Sequence, residues 1–500
     1  MTRPLPVLVG AGQITDRPDD PREGLEPLAL MEAAARRACD DAGTGARLLA
    51  AVDTVAVVTN VFHDYGDTAR MLAGRLGITP RRTVLSTWGG NTPQSLLSHL
   101  CDEVAAGRID VALLAGGEAV HTMRALGKAG LPSPWTPPSA AAVARWGETR
   151  PGVTEVESRH GAREAYVSFA LFENAFRAAR GQSLAAQRAE LGAFAERCAR
   201  IAADNPYAWF RDAKDAATLT TVAPANRMVA FPYPKYLNAI MEVNQGAALL
   251  LASDAAARRL GIGDGRLVYP WAAVDIAELW FLSERANFHE LPGMRRAAAD
   301  LLTTVGLDLE RIRHLDLYGC FPIAPRLSAA MLGLDPATPR PLTVTGALPW
   351  FGGPGNDYAT HAIAAMMGRL RHDRAGFGLV HALGWNFTKH ALAVYGGQPP
   401  PSGWRRVETT AIQTSVAAQS HPLVAPEPSG VGRLETYTIV HGRDGGAERG
   451  VAIGLLDGGE RFIAKLPGDR ALLEAAERDE QVGRTGRVTT TDGVTTFDPG

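Results

Sequence analysis

The sequence lacks the features that send a chain into a membrane or out of the cell. The longest early apolar run, Leu5 to Ala11, is too short to span a bilayer, and acidic residues at 16, 19 and 20 follow it instead of a cleavage site. No CxxC pair is present, which argues against a disulfide scaffold or a zinc knuckle. The four cysteines lie far apart, at Cys39, Cys101, Cys198 and Cys320. We therefore expect no signal peptide, no membrane span, no metal site and a cytoplasmic location.

An excess of charge of either sign is also missing. Lys and Arg total 51 against 53 Asp and Glu, a net charge of -2. Residues 401–500 carry 11 basic and 14 acidic groups, so no charged tail is hidden in this average. This balance argues against a nucleic-acid or anionic-membrane partner held by bulk electrostatics. With 46% hydrophobic and 21% charged residues over 500 positions, the chain is expected to fold into two or three domains.

The first 120 residues alternate short β-branched runs with amphipathic helical patterns. Strands separated by helices predict a parallel sheet that is covered on both faces. Asn91 is the expected N-cap of the last helix, with Gln94 as a partial capping box. The predicted strands and helices are Pro6–Val9, Pro27–Ala42, Val52–Thr59, Asp67–Leu76, Thr83–Ser86, 91–106 and Val111–Ala115.

A proline-rich stretch at 131–139 interrupts this alternation and predicts a loop-rich insertion with two long helices. The apolar run Gly246–Ser253 resumes the sheet pattern, and a second alternating region follows from Arg266. Two such halves suggest an internal duplication. Beyond the linker Gly396–Pro401 the pattern changes to strand alternation, which predicts a small, mostly antiparallel β domain ending in a hairpin at Asp492-Gly493.

Several strings in this order resemble the thiolase superfamily. They are the duplicated α/β pattern, GRIDVALLAGGEA at 107–119 and NQGAALLLAS at 244–253, and the resemblance runs over about residues 5–397. It is greatest to the sterol-carrier-type, thiolase-like branch, in which a further domain can follow the thiolase body. The resemblance implies an α/β chain with a duplicated five-layer αβαβα fold and an inserted loop domain, followed by a small antiparallel β domain of barrel or OB-like type. The expected boundaries are 1–121 and 225–265 for the first half, 122–224 for the insertion, 266–398 for the second half and 399–500 for the additional domain.

The catalytic side chains of that superfamily are missing at the matching positions. The nucleophilic Cys should open the helix after Gly89, at Gly90 or Asn91, and neither is a cysteine. Gly353 stands where the family's activating His would be, and the segment around Gly384 has no second Cys. The resemblance therefore excludes a Claisen condensation through an acyl-cysteine.

Two side chains remain as candidates for proton transfer. Tyr318, in DLYGCF, resembles the position where the family carries an Asn or His that holds an oxyanion water. His381 is the competing candidate, and Lys389 is expected to pair with an anionic group of coenzyme A. The alternatives are that Tyr318 packs at a strand end and that Lys389 and His390 face solvent on a strand.

Two glycine-rich turns open helices and offer backbone N–H groups to a thioester oxygen, although both also read as plain tight turns. Neither matches a P-loop or a G-x-G-x-x-G fingerprint. The residues assigned to ligand binding are Gly90, Asn91, Gly353, Gly355, Asn356, Gly384 and Lys389.

Three function classes stay open at this point. The chain is expected to bind coenzyme A or an acyl-CoA as a ligand, without a covalently bound cofactor and without ordinary thiolase activity. The second class is an enzyme that splits CoA thioesters by retro-aldol chemistry at Tyr318, and the third is a silent binding protein or scaffold subunit. The resemblance allows either a homodimer or a monomer.

Overall fold

The computed structural model describes residues 3–141 and 143–499. Its first segment alternates strands and helices, as the sequence predicts. The strands that begin at Pro6 and Val111 are longer than predicted, whereas the strand predicted at Val52–Thr59 spans only Thr54–Val57. The elements are β1 (Pro6–Thr15), α1 (Pro27–Asp41), α2 (Ala46–Ala50), β2 (Thr54–Val57), α3 (Thr68–Leu76), β3 (Arg82–Ser86), α4 (Thr92–Ala105), β4 (Val111–Ala119) and α5 (Val120–Lys128).

The predicted insertion follows and is mainly helical. Its two long helices were predicted at Glu164–Ala179 and Leu184–Ala203, and each bound in the structure lies within one residue of these positions. The elements are β5 (Arg145–Trp146), α6 (Glu155–Arg159), α7 (Ala165–Ala179), α8 (Leu184–Asp204), α9 (Ala216–Thr220), β6 (Met228–Ala230) and β7 (Tyr233–Pro234).

The chain then completes the first sheet and builds a second one. The elements of this part are β8 (Asn244–Ser253), α10 (Asp254–Leu260), β9 (Tyr269–Ala277), α11 (Pro292–Val305), β10 (Ile312–Leu317), α12 (Ile323–Met331), α13 (Leu348–Phe351), α14 (Tyr358–His372), β11 (Phe377–Gly384) and β12 (Lys389–Gly396). All ten residues of β8 are buried. An uninterrupted apolar run of this kind is typical of a central strand covered on both faces.

Two sheets of matching topology confirm the internal duplication. The order β1-β8-β4-β2 in the first sheet corresponds to β9-β12-β11-β10 in the second, with two antiparallel pairings and one parallel pairing in each half. Helices α4 and α14 contact both sheets and each other, whereas α1 and α11 cover the outer faces. The body therefore has the predicted five layers, with the N-termini of α4 and α14 between the sheets.

The C-terminal segment forms a closed barrel. Its elements are β13 (Arg405–Arg406), α15 (Thr410–Ala417), β14 (Gly430–His441), β15 (Ala447–Leu456), β16 (Arg461–Lys465), α16 (Arg470–Ala476), β17 (Thr485–Thr491) and β18 (Val494–Asp498). Strands β14, β15, β16, β18 and β17 pair in a ring, mostly antiparallel. The predicted turn at Asp492-Gly493 joins β17 to β18, with both residues at positive φ.

The barrel is less separate from the body than the linker at Gly396–Pro401 suggests. Strand β13 pairs with β9 of the second sheet, and α15 packs on α11, so the segment directly after the linker belongs to the body. In the other direction, β6, which lies just beyond the expected end of the insertion at 224, pairs with β14 and extends the barrel sheet. Short strands of two or three residues carry little local signal, and sequence patterns miss pairings of this kind.

Candidate functional site

The N-terminus of α4 lies at the centre of the predicted site. The N–H of Gly89 donates to Oδ1 of Asn356 at 3.0 Å, and the N–H groups of Gly90 and Asn91 have no acceptor in the described parts of the chain. Asn91 occupies the predicted N-cap position, but its side chain makes no capping hydrogen bond and donates to Ser95 Oγ instead. The helix end therefore presents two free N–H groups at the positive end of its dipole.

Tyr318 occupies the space beside Gly90. Its backbone N–H donates to the carbonyl of His381 at 3.1 Å, which fixes the residue at the end of β10. A Cβ atom added at Gly90 would overlap the Tyr318 hydroxyl and would lie 2.6 Å from Cζ of the ring. A side chain at position 90 and the Tyr318 ring in this position are thus mutually exclusive.

The Tyr318 hydroxyl is chemically available. It has no hydrogen-bond partner within residues 3–141 and 143–499, and its ring packs edge-on against Tyr358 at 5.3 Å. Burial raises the pKa of Tyr318, so the phenol stays protonated at neutral pH. It can therefore donate a hydrogen bond or a proton, and it does not serve as a free phenolate base.

Lys389 reaches the same turn from β12. Its Nζ donates to the carbonyl of Trp88 at 2.6 Å and lies 5.8 Å from the ring centroid of Trp385. The side chain is buried, which differs from the solvent-facing alternative. Burial lowers the pKa of Lys389 to about 8, against the opposing charge of Glu148. None of the described carboxylates forms an ion pair with Lys389, so this ammonium can interact with an anionic ligand.

His381 lies in a buried pair of histidines. Its Nε2 is 3.0 Å from Nδ1 of His390, whose own Nε2 is 3.0 Å from the carbonyl of Phe387. Since His390 Nε2 must donate to that carbonyl, its Nδ1 accepts, and His381 carries its proton on Nε2. Burial lowers the pKa of His381 to about 3, so the ring is neutral. Only the backbone carbonyl of His381 contacts Tyr318 in the described structure.

In the second glycine-rich turn, the N–H groups of the two predicted glycines are already hydrogen-bonded within the protein. The N–H of Gly353 donates to Ile240 O at 2.7 Å and that of Gly355 to Gly353 O at 2.8 Å. Asn356 instead links the two turns, since its Oδ1 accepts from Gly89 and its Nδ2 donates to Thr59 O at 2.9 Å. The side chain of Asn356 therefore connects the second turn to the first.

Gly384 completes the wall opposite the α4 N-terminus. Its Cα faces the Asn91 side chain so closely that a Cβ would overlap Oδ1 of Asn91. That Oδ1 is buried and has no donor among the described residues. The structure thus brings together Gly90, Asn91, Tyr318, Gly384 and Lys389. Asn356 joins them through its hydrogen bond with the Gly89 N–H.

Two buried carboxylates near this site escaped the sequence analysis. Oε1 of Glu118 accepts from the N–H of Val61 at 2.5 Å, and Oδ1 of Asp357 accepts from Thr360 Oγ1 at 2.5 Å. Burial raises the pKa of Glu118 to about 8 and also raises that of Asp357. The only signal was a Glu inside the apolar strand VALLAGGEA, which we left unassigned.

Comparisons with known proteins agree with this architecture. The family described as "Thiolase-like protein type 1 additional C-terminal domain" matches residues 411–493. The structure of a monomeric SCP2-thiolase-like protein type 1 from Mycobacterium smegmatis matches with 31% identity over 99% of both chains and a TM-score of 0.85. The chain belongs to this thiolase-like protein family.

More distant structures share only the thiolase body. An Ltp2-ChsH2(DUF35) aldolase matches with 16% identity, a TM-score of 0.60 and coverage of 79% of this chain and 98% of its own. An acetyl-CoA acetyltransferase from Syntrophomonas wolfei matches with 14% identity, a TM-score of 0.57 and coverage of 79% and 100%. These likenesses show the fold alone. No curated protein sequence gives a significant match.

The mouth of the site in this thiolase-like chain is aromatic and cationic. Trp88 and Trp385 are among the exposed large hydrophobic residues, at 50% and 37%. The guanidinium of Arg145 lies 5.9 Å from the Trp88 ring, and Lys389 lies below Trp385. Such a mouth suits a ligand that combines phosphate groups with an aromatic base.

Among the described helices, none is long and apolar enough to cross a bilayer.

Proposed function

We propose that this chain binds a coenzyme A thioester at the N-terminus of α4 and holds it without forming an acyl-enzyme. The observation that carries this proposal is the Tyr318 phenol in the space of a side chain at position 90. The two free N–H groups of Gly90 and Asn91 lie at the same helix end. Three hydrogen-bond donors and no nucleophile are suited to polarising a thioester carbonyl.

The thiols of the chain do not replace the missing nucleophile. Cys101 lies inside α4 and Cys320 lies two residues beyond Tyr318, and both are buried. Burial raises the pKa of both thiols, which keeps them protonated and unreactive. The ligand would therefore leave the site chemically intact unless Tyr318 acts on it.

Calorimetric titration with coenzyme A and acetyl-CoA tests this function. We expect saturable binding to the wild type and at least a tenfold loss in Gly90→Val, whose side chain must compete with Tyr318. Gly127→Ala is the matched control, because a Cβ there meets no atom within 4 Å. Absence of binding to the wild type, or thiolysis of acetoacetyl-CoA at ordinary turnover rates, would contradict the proposal.

A second candidate is carbon–carbon cleavage of a β-hydroxyacyl thioester. It is favoured by the unpartnered Tyr318 hydroxyl, which can accept the β-hydroxyl proton while its own proton passes to the α-carbon. The Cα–Cβ bond breaks, its electron pair forms the enolate that takes this proton, and an aldehyde or ketone leaves. One fold neighbour is named as an aldolase, so the fold is compatible with such chemistry. Release of carbonyl product from β-hydroxyacyl-CoA, lost in Tyr318→Phe with unchanged CoA affinity, would establish it.

A further inference from the structure

The turn between β11 and β12 is held in an unfavourable backbone conformation. Trp385 and Phe387 have φ of 56° and 57°, a region that residues with side chains rarely adopt. This turn carries Trp385 at the mouth of the site and precedes Lys389 directly. Contacts from outside the turn must therefore stabilise it.

Arg285 provides the main contact. Its Nη2 donates to the carbonyls of Asn386 at 3.0 Å and Phe387 at 2.8 Å, and its side chain lies in the protein interior. Burial lowers the pKa of Arg285 to about 10, with the nearby carboxylates of Glu278 and Glu157 opposing that effect. A buried guanidinium whose donors go to two carbonyls of one turn fixes the course of that turn.

Arg461, on β16 of the barrel, holds the backbone of Arg285 in turn. Its Nη1 donates to the carbonyls of Ser283, at 3.1 Å, and of Arg285 itself. The other edge of the guanidinium forms a two-point ion pair with Glu435 at 2.8 and 2.9 Å. The Arg461 side chain is fully buried, so these bonds are not shared with solvent.

Aromatic packing runs alongside these hydrogen bonds. The Arg461 guanidinium lies 4.9 Å from the ring of Phe288, which packs edge-on against Phe172 of α7. Phe172 contacts Phe387 of the turn at 4.8 Å between ring centroids. The barrel is therefore linked to the turn by two sets of contacts. One consists of the hydrogen bonds of Arg461 and Arg285, and the other is the aromatic packing of Phe288 and Phe172.

We infer that the C-terminal barrel positions the 385–388 turn, and with it Lys389 and Trp385, through Arg461 and Arg285. This role rests on the proposed function for its effect on ligand binding, whereas the placement of Lys389 can be measured without any ligand. It gives the additional domain a function in this chain, because the barrel holds the 385–388 turn in place. The two arginines are positioning residues.

The test measures the pKa of Lys389 in the full-length protein. The rate of Lys389 acetylation by acetic anhydride is followed by mass spectrometry from pH 6 to 11. The chain has only five lysines, so Lys128, Lys214, Lys235 and Lys465 are internal references. The wild type is expected to show a midpoint near 8. In Arg461→Met the loosened turn admits water, and the midpoint rises by about one pH unit or more.

Arg449→Met is the matched control, because Arg449 also donates from the barrel to a backbone carbonyl, that of Gly161 at 3.0 Å, away from Arg285. Its Lys389 midpoint is expected to equal that of the wild type. An unchanged midpoint in folded Arg461→Met overturns the inference. If Arg461→Met does not fold, Glu435→Gln removes the charge and one acceptor oxygen of the partly exposed partner of Arg461. It must raise the midpoint in the same direction, and an unchanged value overturns the inference equally.

Coenzyme A titration of the same variants separates the two proposals. We expect about a fivefold to tenfold weaker binding in Arg461→Met and none of this loss in Arg449→Met. A wild type that does not bind coenzyme A refutes the proposed function, while a shifted Lys389 midpoint still supports the positioning of the turn by the barrel. Binding in the wild type together with an unshifted Lys389 midpoint in Arg461→Met refutes only the positioning of the turn by the barrel.

Discussion

The two glycine-rich turns occupy equivalent places in the duplicated halves and have different hydrogen bonding. The first, at Gly89–Asn91, leaves two N–H groups free and has the Tyr318 hydroxyl beside it. The second, at Gly352–Asn356, uses the N–H groups of Gly353 and Gly355 within the protein. The first turn therefore has two adjacent N–H groups without an acceptor among the described residues, whereas the N–H groups of both glycines at 353 and 355 are hydrogen-bonded.

The largest expected effect is at the first turn. Gly90→Ala should destabilise the protein by about 2 kcal/mol, because its methyl group overlaps the Tyr318 hydroxyl. Gly353→Ala meets its nearest atom, Leu348 Cδ2, at 3.1 Å and should cost less than half as much. Urea unfolding measures both values. The double variant Gly90→Ala with Tyr318→Ala should lose less stability than the sum of the two single variants, and the loss that remains comes from Leu383 O, 2.7 Å from the added Cβ. A purely additive loss would contradict the overlap.

Asn356→Ala should have the next largest effect, because it cuts the link between the turns. Removing its amide leaves the buried Gly89 N–H and Thr59 O without partners, at a cost of about 2 kcal/mol or somewhat less. We also expect weaker coenzyme A binding, measured by calorimetry. Unchanged affinity in a destabilised variant would mean that the first turn keeps its geometry without the second.

The first turn should also carry a distinctive pH dependence. The pKa of Lys389 falls from 10.5 to about 8 on folding, so the unfolded chain binds more protons between these values and this side chain makes stability rise with pH across that window. Lys389→Met should therefore be more stable than the wild type at pH 7, by about 1 kcal/mol. This advantage should shrink as the pH approaches 10.5. A constant difference in urea unfolding from pH 7 to 10 would contradict it.

The second turn should show the opposite slope. The pKa of Glu118, which lies against Gly355, rises from 4.5 to about 8 on folding. The folded chain then binds the extra proton, so stability from this group is full at low pH and falls as the pH rises toward 8. Glu118→Gln should gain stability relative to the wild type between pH 5 and 8. Thermal unfolding across this range measures the difference, and a gain that is already complete at pH 5 would argue against the buried acid.

The smallest effect on stability is expected for Tyr318→Phe. The hydroxyl has no partner in the described structure, so its removal should change the free energy of unfolding by less than about 0.5 kcal/mol. Affinity for acyl-CoA should still fall if the phenol donates to the bound thioester. A variant that binds as tightly as the wild type would reduce Tyr318 to a space-filling residue.

Local patterns predicted most elements of the fold, because buried strands and amphipathic helices leave periodic signals. The run in β8, helix α1 from Pro27 and the Asp492-Gly493 hairpin are examples. The missing nucleophile could also be predicted from family motifs. Contacts between distant segments could not, since nothing local at Gly90 indicates that Tyr318 lies beside it.

Other parts of the site also depended on tertiary context. The alternative that Lys389 and His390 face solvent is wrong, because β12 is buried between β11 and β9. The string Gly353-Pro354-Gly355 fits a ligand-binding turn as well as it fits an internally bonded one, and the hydrogen bond from Gly353 to the distant Ile240 carbonyl cannot be read from it. Strands β6 and β7, which extend the barrel sheet, have only three and two residues and are too short to predict from the sequence pattern.

Strand β5 has a consequence for how the site responds to dilution. Arg145 and Trp146 pair with Leu85 and Ser86, so the chain's own insertion covers the edge of β3 next to the Gly89–Asn91 turn. An edge strand whose hydrogen bonds are already used does not recruit a neighbouring chain there. One polypeptide thus builds this wall alone. Ligand affinity should therefore be the same at nanomolar and at micromolar protein, as mass action requires of a site that needs no second copy.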